Sequence, residues 1–566
     1  MFKGRIIESL KKATNLTEID LASPELEVHG DYSTNVALRL AKKEGQNPQV
    51  TANELVEKLQ KDTDLRKIVA KIEVAGPGFI NFWLADEVLS QNLKEITEKG
   101  EKYGTSEEGA GKTVVIDYSS PNIAKRFGIG HLRSTVIGQA LYNLYKYLGY
   151  KVIGDNHLGD WGTQFGTLLY QIDNKQLTVN KLTVDELEGL YVDFNKKAES
   201  SPELWDEARA WFKKLEDGDE QARKIWKTVV DISIAEFNRV YEELGVKIDY
   251  AFGESFYEDK MPVVIKELRN KNLVKKSEGA GIVEFPELSP AMVTKSDGTT
   301  TYFTRDLATI KYRIETWDPT LFIYEVGSDQ VLHFRQVFAT AKLLGWNDVR
   351  HYEHVAHGLI RFLHGKMSTR SGETVKLEGV LNEAVNKAKS IIEKSETGRG
   401  LDNSEKDKVA ESVGIGAVKY FDLMHHPASD IIFDWSKLFV LEGNSGPYLQ
   451  YTVARTNSVL AKFKTQNVKV KISTQKSKLQ KNNEELQVLR TLIHFTDVID
   501  LAAKSFSPNL LANYLFDLAQ KYNNLYNQHR IIGGDNEDFR IALTAGVGQV
   551  LKNGLGILGI ETPERM

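Results

Sequence analysis

Apolar and polar residues follow each other along this chain with distinct rhythms. Across residues 1–100 helical spacing dominates, as in the opening MFKGRIIESLKKA, and closes on a strand-like run, VAGPGFINFWL (74–84). A polar, glycine-rich stretch, GTSEEGAGK (104–112), then marks a boundary. Beyond it, TVVIDYS (113–119) has the pattern of a buried strand. Val136, Ile137, Ala140, Leu141, Leu144, Tyr145 and Leu148 recur at helical spacing, and YKVIGD (150–155) is a second strand. Such a β-α-β unit predicts a parallel sheet that binds ligands at the carboxyl ends of its strands. Residues 170–250 are charged and helical, with no strand candidate until VKIDYAF (246–252), and read as an insertion. Strand-like runs return at TTTYFT (299–304), TLFIYEVG (320–327) and VRHYEHVAHGLI (349–360), and from about residue 376 the patterns are almost entirely helical. The expected division is an α+β domain over 1–108, an α/β domain over 109–380 with its insertion near 170–250, and an all-α domain over 381–566.

Composition narrows the classes. The 566 residues allow several cores, and 41% hydrophobic with 27% charged residues is ordinary for a globular chain. A net charge of −5 argues against a wholly basic nucleic-acid-binding surface while leaving room for local basic faces. No run approaches a membrane span and the N-terminus lacks the apolar core of a signal peptide, so no membrane partner and a cytoplasmic location are expected. The absence of cysteine excludes disulfides and thiolate–zinc sites. His351, His354 and His357 recur every third residue, with His364 nearby. A strand turns the middle one to the opposite face, so no metal centre is expected there.

Candidate chemistry sits in two stretches. SSPNIAKRFGIGHLRSTVIG (119–138) joins the first strand of the β-α-β unit to its helix. A helix N-terminus has unpaired N–H groups that suit an anion. Gly128 and Gly130 let a base or phosphate approach the backbone, His131 can donate to a phosphate or ribose oxygen, and Arg133 adds positive charge. Taken singly, the stretch is equally a plain glycine-rich helix start. The second, GLIRFLHGKMSTRSGETVKL (358–377), sets Lys366 and Arg370 among Ser368, Thr369, Ser371 and Gly372. A polar loop bearing a lysine can close on a triphosphate and stabilise charge as pyrophosphate departs, although in isolation it reads as a solvated surface loop.

Together the two stretches resemble the paired His-Ile-Gly-His and Lys-Met-Ser-Lys-Ser signatures of class I aminoacyl-tRNA synthetases, in the same order. The wider chain resembles the arginyl-tRNA synthetases through HGDYSTNVALRLAKKEGQNP (29–48), NHLGDWGTQFG (156–166), FGESFY (252–257), TYFTRDLAT (301–309), VGSDQVLHF (326–334), GPYLQYTVAR (446–455) and the ending PERM. The resemblance implies a Rossmann-like parallel-sheet catalytic domain with a helical insertion, an N-terminal α+β domain contacting the tRNA elbow and a C-terminal all-α anticodon-binding bundle. It implies an arginine–tRNA ligase that uses ATP with Mg2+ to make arginyl-adenylate and passes arginine to the 3′ end of tRNA(Arg), with tRNA needed for activation. Matched residue by residue, Asn122, Glu254, Tyr302, Asp306 and Gln330 would hold arginine. Gly128, Gly130, His131, His333, Gly358, Leu359, Lys366, Met367 and Ser368 would hold ATP, with His131, Lys366 and Ser368 as catalytic groups. Carboxylates suit a guanidinium, and amide and phenol groups suit its orientation.

The chain also departs from the pattern. Gly128 stands where the family usually has its first histidine, Arg126 where proline is common, and Thr369 where the second signature usually ends in lysine. Arg126, Arg361, His364 and Arg370 are candidates to restore the missing charge. For tRNA, the resemblance points to Phe79 and Asn81 on one face of the strand-like GFINF. In the bundle it points to Tyr448, Tyr451, Arg455, Tyr522, Tyr526 and Arg530, only some of which should face RNA. The lysine-rich run 461–483 reads as a solvated loop, and nothing points to an obligate oligomer, so a monomer is expected. A catalytically silent tRNA-binding relative and a nucleotidyl-transferring ligase that works without tRNA are the competing readings.

Overall fold

The computed structural model describes residues 2–24, 26–362, 375–395, 398–465 and 481–566. Its strands in chain order are β1 (Tyr32–Thr34), β2 (Val69–Ala75), β3 (Phe79–Leu84), β4 (Thr113–Asp117), β5 (Lys151–Asp155), β6 (Lys275–Ser277), β7 (Ala280–Val283), β8 (Ala291–Thr294), β9 (Leu321–Gly327), β10 (His351–His357), β11 (Ile360–Phe362) and β12 (Ile431–Phe433). Strands β4, β5, β9 and β10 form the parallel sheet that the β-α-β pattern predicts, in the order β10-β9-β4-β5. The helix Gly130–Tyr147 links β4 to β5, and Val331–Leu343 links β9 to β10. The chain therefore leaves β4 and β9 in opposite directions, and the crevice at their carboxyl ends is the switch point where such sheets bind ligands. Val114, Ile116, Phe322 and Ile323 are buried along these strands. Gly138 permits the close helix–strand approach, since a β-carbon there would lie 2.3 Å from Tyr118 Cβ.

The insertion consists of helices Thr163–Asn174, Val184–Ala198, Leu204–Glu216 and Glu220–Leu244, as its charged helical pattern suggests. VKIDYAF is no ladder strand. It returns along the sheet through a single bridge between Tyr250 and Asp155 and delivers the chain to Glu254. TTTYFT is not a strand either, because Tyr302 opens the helix Tyr302–Trp317. Its β-branched composition misleads, and the helical spacing that follows decides the local structure. The small antiparallel sheet β6-β7-β8 had no counterpart in the sequence reading.

At the N-terminus, helices pack on the antiparallel sheet β1-β3-β2, of which only β3 was expected. The C-terminal region is helical apart from β12, which pairs in parallel with β11 and so ties the bundle to the end of the α/β region. A hydrogen bond from Tyr32 Oη to Asp497 Oδ2 (2.7 Å) joins the N-terminal sheet to the bundle.

Candidate active site

The turn after β4 is held in unusual backbone: Ser119, Ser120 and Ala124 have φ values of 74°, 43° and 59°. Non-glycine residues in this left-handed region cost energy and persist only where their surroundings enforce them. Here Ser119 N–H donates to Ser134 Oγ (2.9 Å), Ser120 N–H to Asn156 Oδ1 (2.9 Å) and Ala124 N–H to Ser233 Oγ (3.0 Å). The turn runs beside the loop after β5, with Ile123 N–H donating to Gly159 O at 3.2 Å. A β-carbon on Gly159 would come within 2.2 Å of Asn122 Oδ1, so glycine is what lets Asn122 lie there.

Farther along, Gly128 N–H donates to His131 Nδ1 at 3.1 Å. A neutral His131 therefore carries its proton on Nε2, ready to donate, and burial lowers its pKa so that the ring stays neutral. No side chain caps the helix Gly130–Tyr147, and its His131 and Leu132 N–H groups turn back to Gly128 O (3.0 Å) and Ile129 O (3.1 Å), so this end offers an anion the positive end of the helix dipole and the His131 side chain. The GIGH turn is pinned from the other side, where Ile129 N–H donates to Val375 O and Leu377 N–H to Phe127 O, both at 3.0 Å. The chain that follows the second signature is thus fastened to the first. Lys366, Met367 and Ser368, with His364, Thr369 and Arg370, lie outside the described residues.

Several cations do other work than expected. Arg133 adds no charge to a phosphate: it is 1% exposed, 3.2 Å from Asp422, and donates to Ser429 O at 2.5 Å. Arg126 pairs with Asp185 and, at 3.1 Å, with Glu188, while Arg361 pairs with Asp430 at 2.8 Å. Both are engaged by acids rather than placed to replace a histidine at Gly128. Gly358 N–H donates to Pro427 O (2.9 Å), and Leu359 is exposed with its N–H on Asp430 (2.8 Å). His351, His354 and His357 go separately to Glu353 (3.2 Å), Val326 O (3.1 Å) and Glu325 (3.0 Å).

Across the crevice the structure gathers Glu254, Tyr302, Asp306 and His333. Tyr302 and Asp306 lie one helical turn apart, and His333 Nε2–H donates to Asp306 Oδ2 at 2.5 Å. Tyr302 is exposed, with its ring centroid 4.9 Å from that of His333. Gln330 precedes the helix Val331–Leu343 and donates to Asp329 at 3.2 Å. Burial works against the charge of Asp306, but the hydrogen bond and charge of His333, with His157 and Arg305, hold its carboxyl below the usual range. Glu254 goes the other way: burial raises its pKa, with Arg305 opposing.

Sequence reasoning missed the residues that build this wall. His157 Nε2 lies 3.9 Å from Asp306. Asp160 accepts Ser255 N–H and Oγ–H at 2.8 and 2.6 Å, fixing the turn that presents Glu254. Arg305 bridges Glu254 and Glu258. His157 and Asp160 follow β5 directly, so their position at a strand's carboxyl end was the available signal. Beneath them Arg313 donates to Asp117 (2.6 Å) and Asp155 (2.9 Å), which end β4 and β5.

The candidate RNA contacts divide. Tyr451 and Tyr526 are exposed and flank Arg455, whose guanidinium lies 4.8 and 4.7 Å from their ring centroids. Tyr522 is a correction: it is wholly buried, with its hydroxyl on Thr544, and cannot stack a base. Tyr448 is half-buried against Phe516, whereas Arg530 is exposed. Phe79 is exposed at the start of β3, but Asn81 is buried and its amide oxygen accepts Ser33 Oγ–H at 2.7 Å. Of the lysine run, Lys469, Lys471, Lys476 and Lys478 lie outside the described residues.

Comparison with known proteins agrees along the whole chain. Family models match in three segments: the arginyl tRNA synthetase N terminal domain over residues 1–84, the class I (R) tRNA synthetase catalytic domain over 92–435 and the DALR anticodon binding domain over 449–566. The arginine–tRNA ligase of Fusobacterium nucleatum is 40% identical over 571 residues, covering 99% of this chain and 97% of its own. That of Clostridium beijerinckii is 40% identical over 578 residues, covering both chains fully. Among solved structures, arginyl-tRNA synthetase from Plasmodium falciparum superimposes with a TM-score of 0.85 at 25% identity, covering 100% of this chain and 98% of its own. The sequence motifs, the parallel-sheet crevice and these full-length matches agree: the chain belongs to the arginyl-tRNA synthetase family.

Proposed function

We propose that this chain is an arginine–tRNA ligase, which activates arginine with ATP to arginyl-adenylate and pyrophosphate and then transfers arginine to the 3′ end of tRNA(Arg). The observation that carries this reading is that the turn leading from β4 to His131 and the turn bearing Glu254 both lie against the loop after β5, through Ile123 N–H on Gly159 O (3.2 Å) and Glu254 N–H on Leu158 O (2.9 Å). The arginine carboxylate attacks the α-phosphorus and the bond to the pyrophosphate oxygen breaks. No protein nucleophile or general base is needed, so catalysis is positioning plus charge stabilisation.

In this reading Asn122 holds the carboxylate end of arginine, Glu254 and Asp306 its cationic groups, and Tyr302 and Gln330 orient it. Gly128, Gly130, His131, Gly358 and Leu359 receive the nucleotide. His333 acts through Asp306, and Lys366, Met367 and Ser368 close over the phosphates. Magnesium bound with ATP would supply charge neutralisation as pyrophosphate departs. Among the described residues no three acidic or histidine side chains converge as a candidate metal cage. Phe79, Tyr451, Arg455, Tyr526 and Arg530 face the tRNA, and the division at 1–108, 109–380 and 381–566 assigns elbow, chemistry and anticodon to separate units. A cytoplasmic monomer completes the proposal; no helix among the described residues is long and apolar enough to cross a membrane. Charging of tRNA(Arg) with labelled arginine and ATP tests it directly. Arginyl-tRNA formation supports the reading, and its absence with active control tRNA overturns it.

A further inference from the structure

The wall that faces the substrate already contains a guanidinium. Arg305, 13% exposed, lies between two acids presented by one short turn, the 3-10 helix Glu254–Tyr257 and the residue after it, Glu258. Its Nε and Nη2 both donate to Glu258 Oε1, at 3.0 and 2.7 Å, whereas its Nη1 approaches Glu254 Oε2 at 3.3 Å as an ion pair only. Glu254 Oε1 accepts no hydrogen bond among the described residues. We propose that Glu258 is a positioning residue for amino-acid recognition, holding the protein's own guanidinium aside so that the Glu254 carboxylate stays open to the guanidinium of the substrate. This rests on the arginine-ligase reading above.

Charge and geometry both support it. Within the Glu254–Arg305–Glu258 group, two carboxylates against one arginine leave one negative charge, which a substrate guanidinium can meet, while Asp306 is paired with His333. Without the Glu258 charge, Arg305 has one acid left within reach, and it sits next to that acid already. A tethered group competes at a high effective concentration, so Arg305 would occupy the substrate's place on Glu254. A lysine or citrulline side chain could not reproduce the displaced fork of donors, and the arrangement therefore favours arginine as the group that enters.

The test is tRNA-dependent ATP–pyrophosphate exchange in wild type, Glu258→Gln and the double variant Glu258→Gln/Arg305→Met. We expect Glu258→Gln to raise the arginine KM at least tenfold, with the ATP KM changed less than twofold. Removing the competitor in the double variant should bring the arginine KM back to within about threefold of wild type. An unchanged arginine KM in Glu258→Gln, a parallel rise in the ATP KM, or a double variant no better than the single one each overturns the inference. If Glu258→Gln is poorly folded, its ATP KM rises too or exchange is lost, and failure of the double variant to recover arginine use counts against Glu258 in the same way. Should wild type exchange with an amino acid other than arginine, the parent reading fails; should wild type use arginine normally and the variants behave alike, only the role of Glu258 fails.

Discussion

His333 Nε2 stands 2.5 Å from Asp306 Oδ2, joining a residue matched to the nucleotide site to one matched to the amino-acid site. The bond explains why a carboxylate that burial disfavours stays charged. In wild type the sign is that of a depressed acid: the stability it contributes is present above the ordinary aspartate value and is lost as pH falls through the lower folded-state value. Replacing His333 by asparagine leaves burial dominant and raises the Asp306 pKa. The arginine KM should rise about tenfold at neutral pH, the scale of a lost charge-assisted hydrogen bond. It should climb further as the assay is made acidic, whereas the wild-type KM should not follow Asp306 there. A His333→Asn profile parallel to wild type would remove the coupling.

Glu254→Ala addresses selectivity. Deleting the carboxylate should raise the arginine KM on the order of a hundredfold, as expected for one partner of a desolvated charge pair, and leave the ATP KM nearly unchanged. Because burial raises the Glu254 pKa, arginine binding by wild type should begin to weaken on acidification at a higher pH than an ordinary glutamate would give. Steady-state kinetics with each substrate varied in turn read both effects.

Arg313 supports the crevice from below and is fully buried. Replacing it with methionine leaves Asp117 and Asp155 buried without their cation. Loss of one partner of a buried pair costs about 3–5 kcal/mol, so the unfolding midpoint should move to lower denaturant concentration and the extrapolated unfolding free energy should fall by that amount. A shift below about 1 kcal/mol would mean the two aspartates are satisfied in another way.

Arg126 and Arg361 are engaged by acids, so neither is placed to replace the histidine that Gly128 lacks. Gly128→His should therefore raise the rate of pyrophosphate exchange substantially, about tenfold or more given what single donors to a developing charge contribute. An unchanged rate would place the compensating charge in the 363–374 segment.

How much of this was legible in the sequence follows from which signals are local. The central strands β4 and β9 announce themselves because parallel strands buried on both faces are near-continuous apolar runs, whereas the edge strand β10 is legible only as a β-rich stretch with Val355 as its buried residue. The edges of β1 and the β6-β7-β8 sheet do not, since three or four residues carry too little periodicity. TTTYFT misled because three threonines look like a strand, yet Tyr302, Arg305 and Asp306 share a helix and can converge. Asn122, Glu254 and Asp306 stand out as candidates through family motifs, whereas Arg305 and Glu258 gain meaning only when residues 47 apart in sequence touch. Arg133 and Tyr522 show the converse: polar ends at helical spacing do not reveal which face is covered.

The most direct measurement is aminoacylation itself: purified protein, ATP with magnesium, tRNA(Arg), and each of arginine, lysine and citrulline in labelled form. The account predicts charging with arginine alone, abolished at low arginine concentration by Glu254→Ala. Charging with lysine or citrulline at comparable kcat/KM, or no charging with arginine under conditions where the tRNA is charged by a control enzyme, would contradict it.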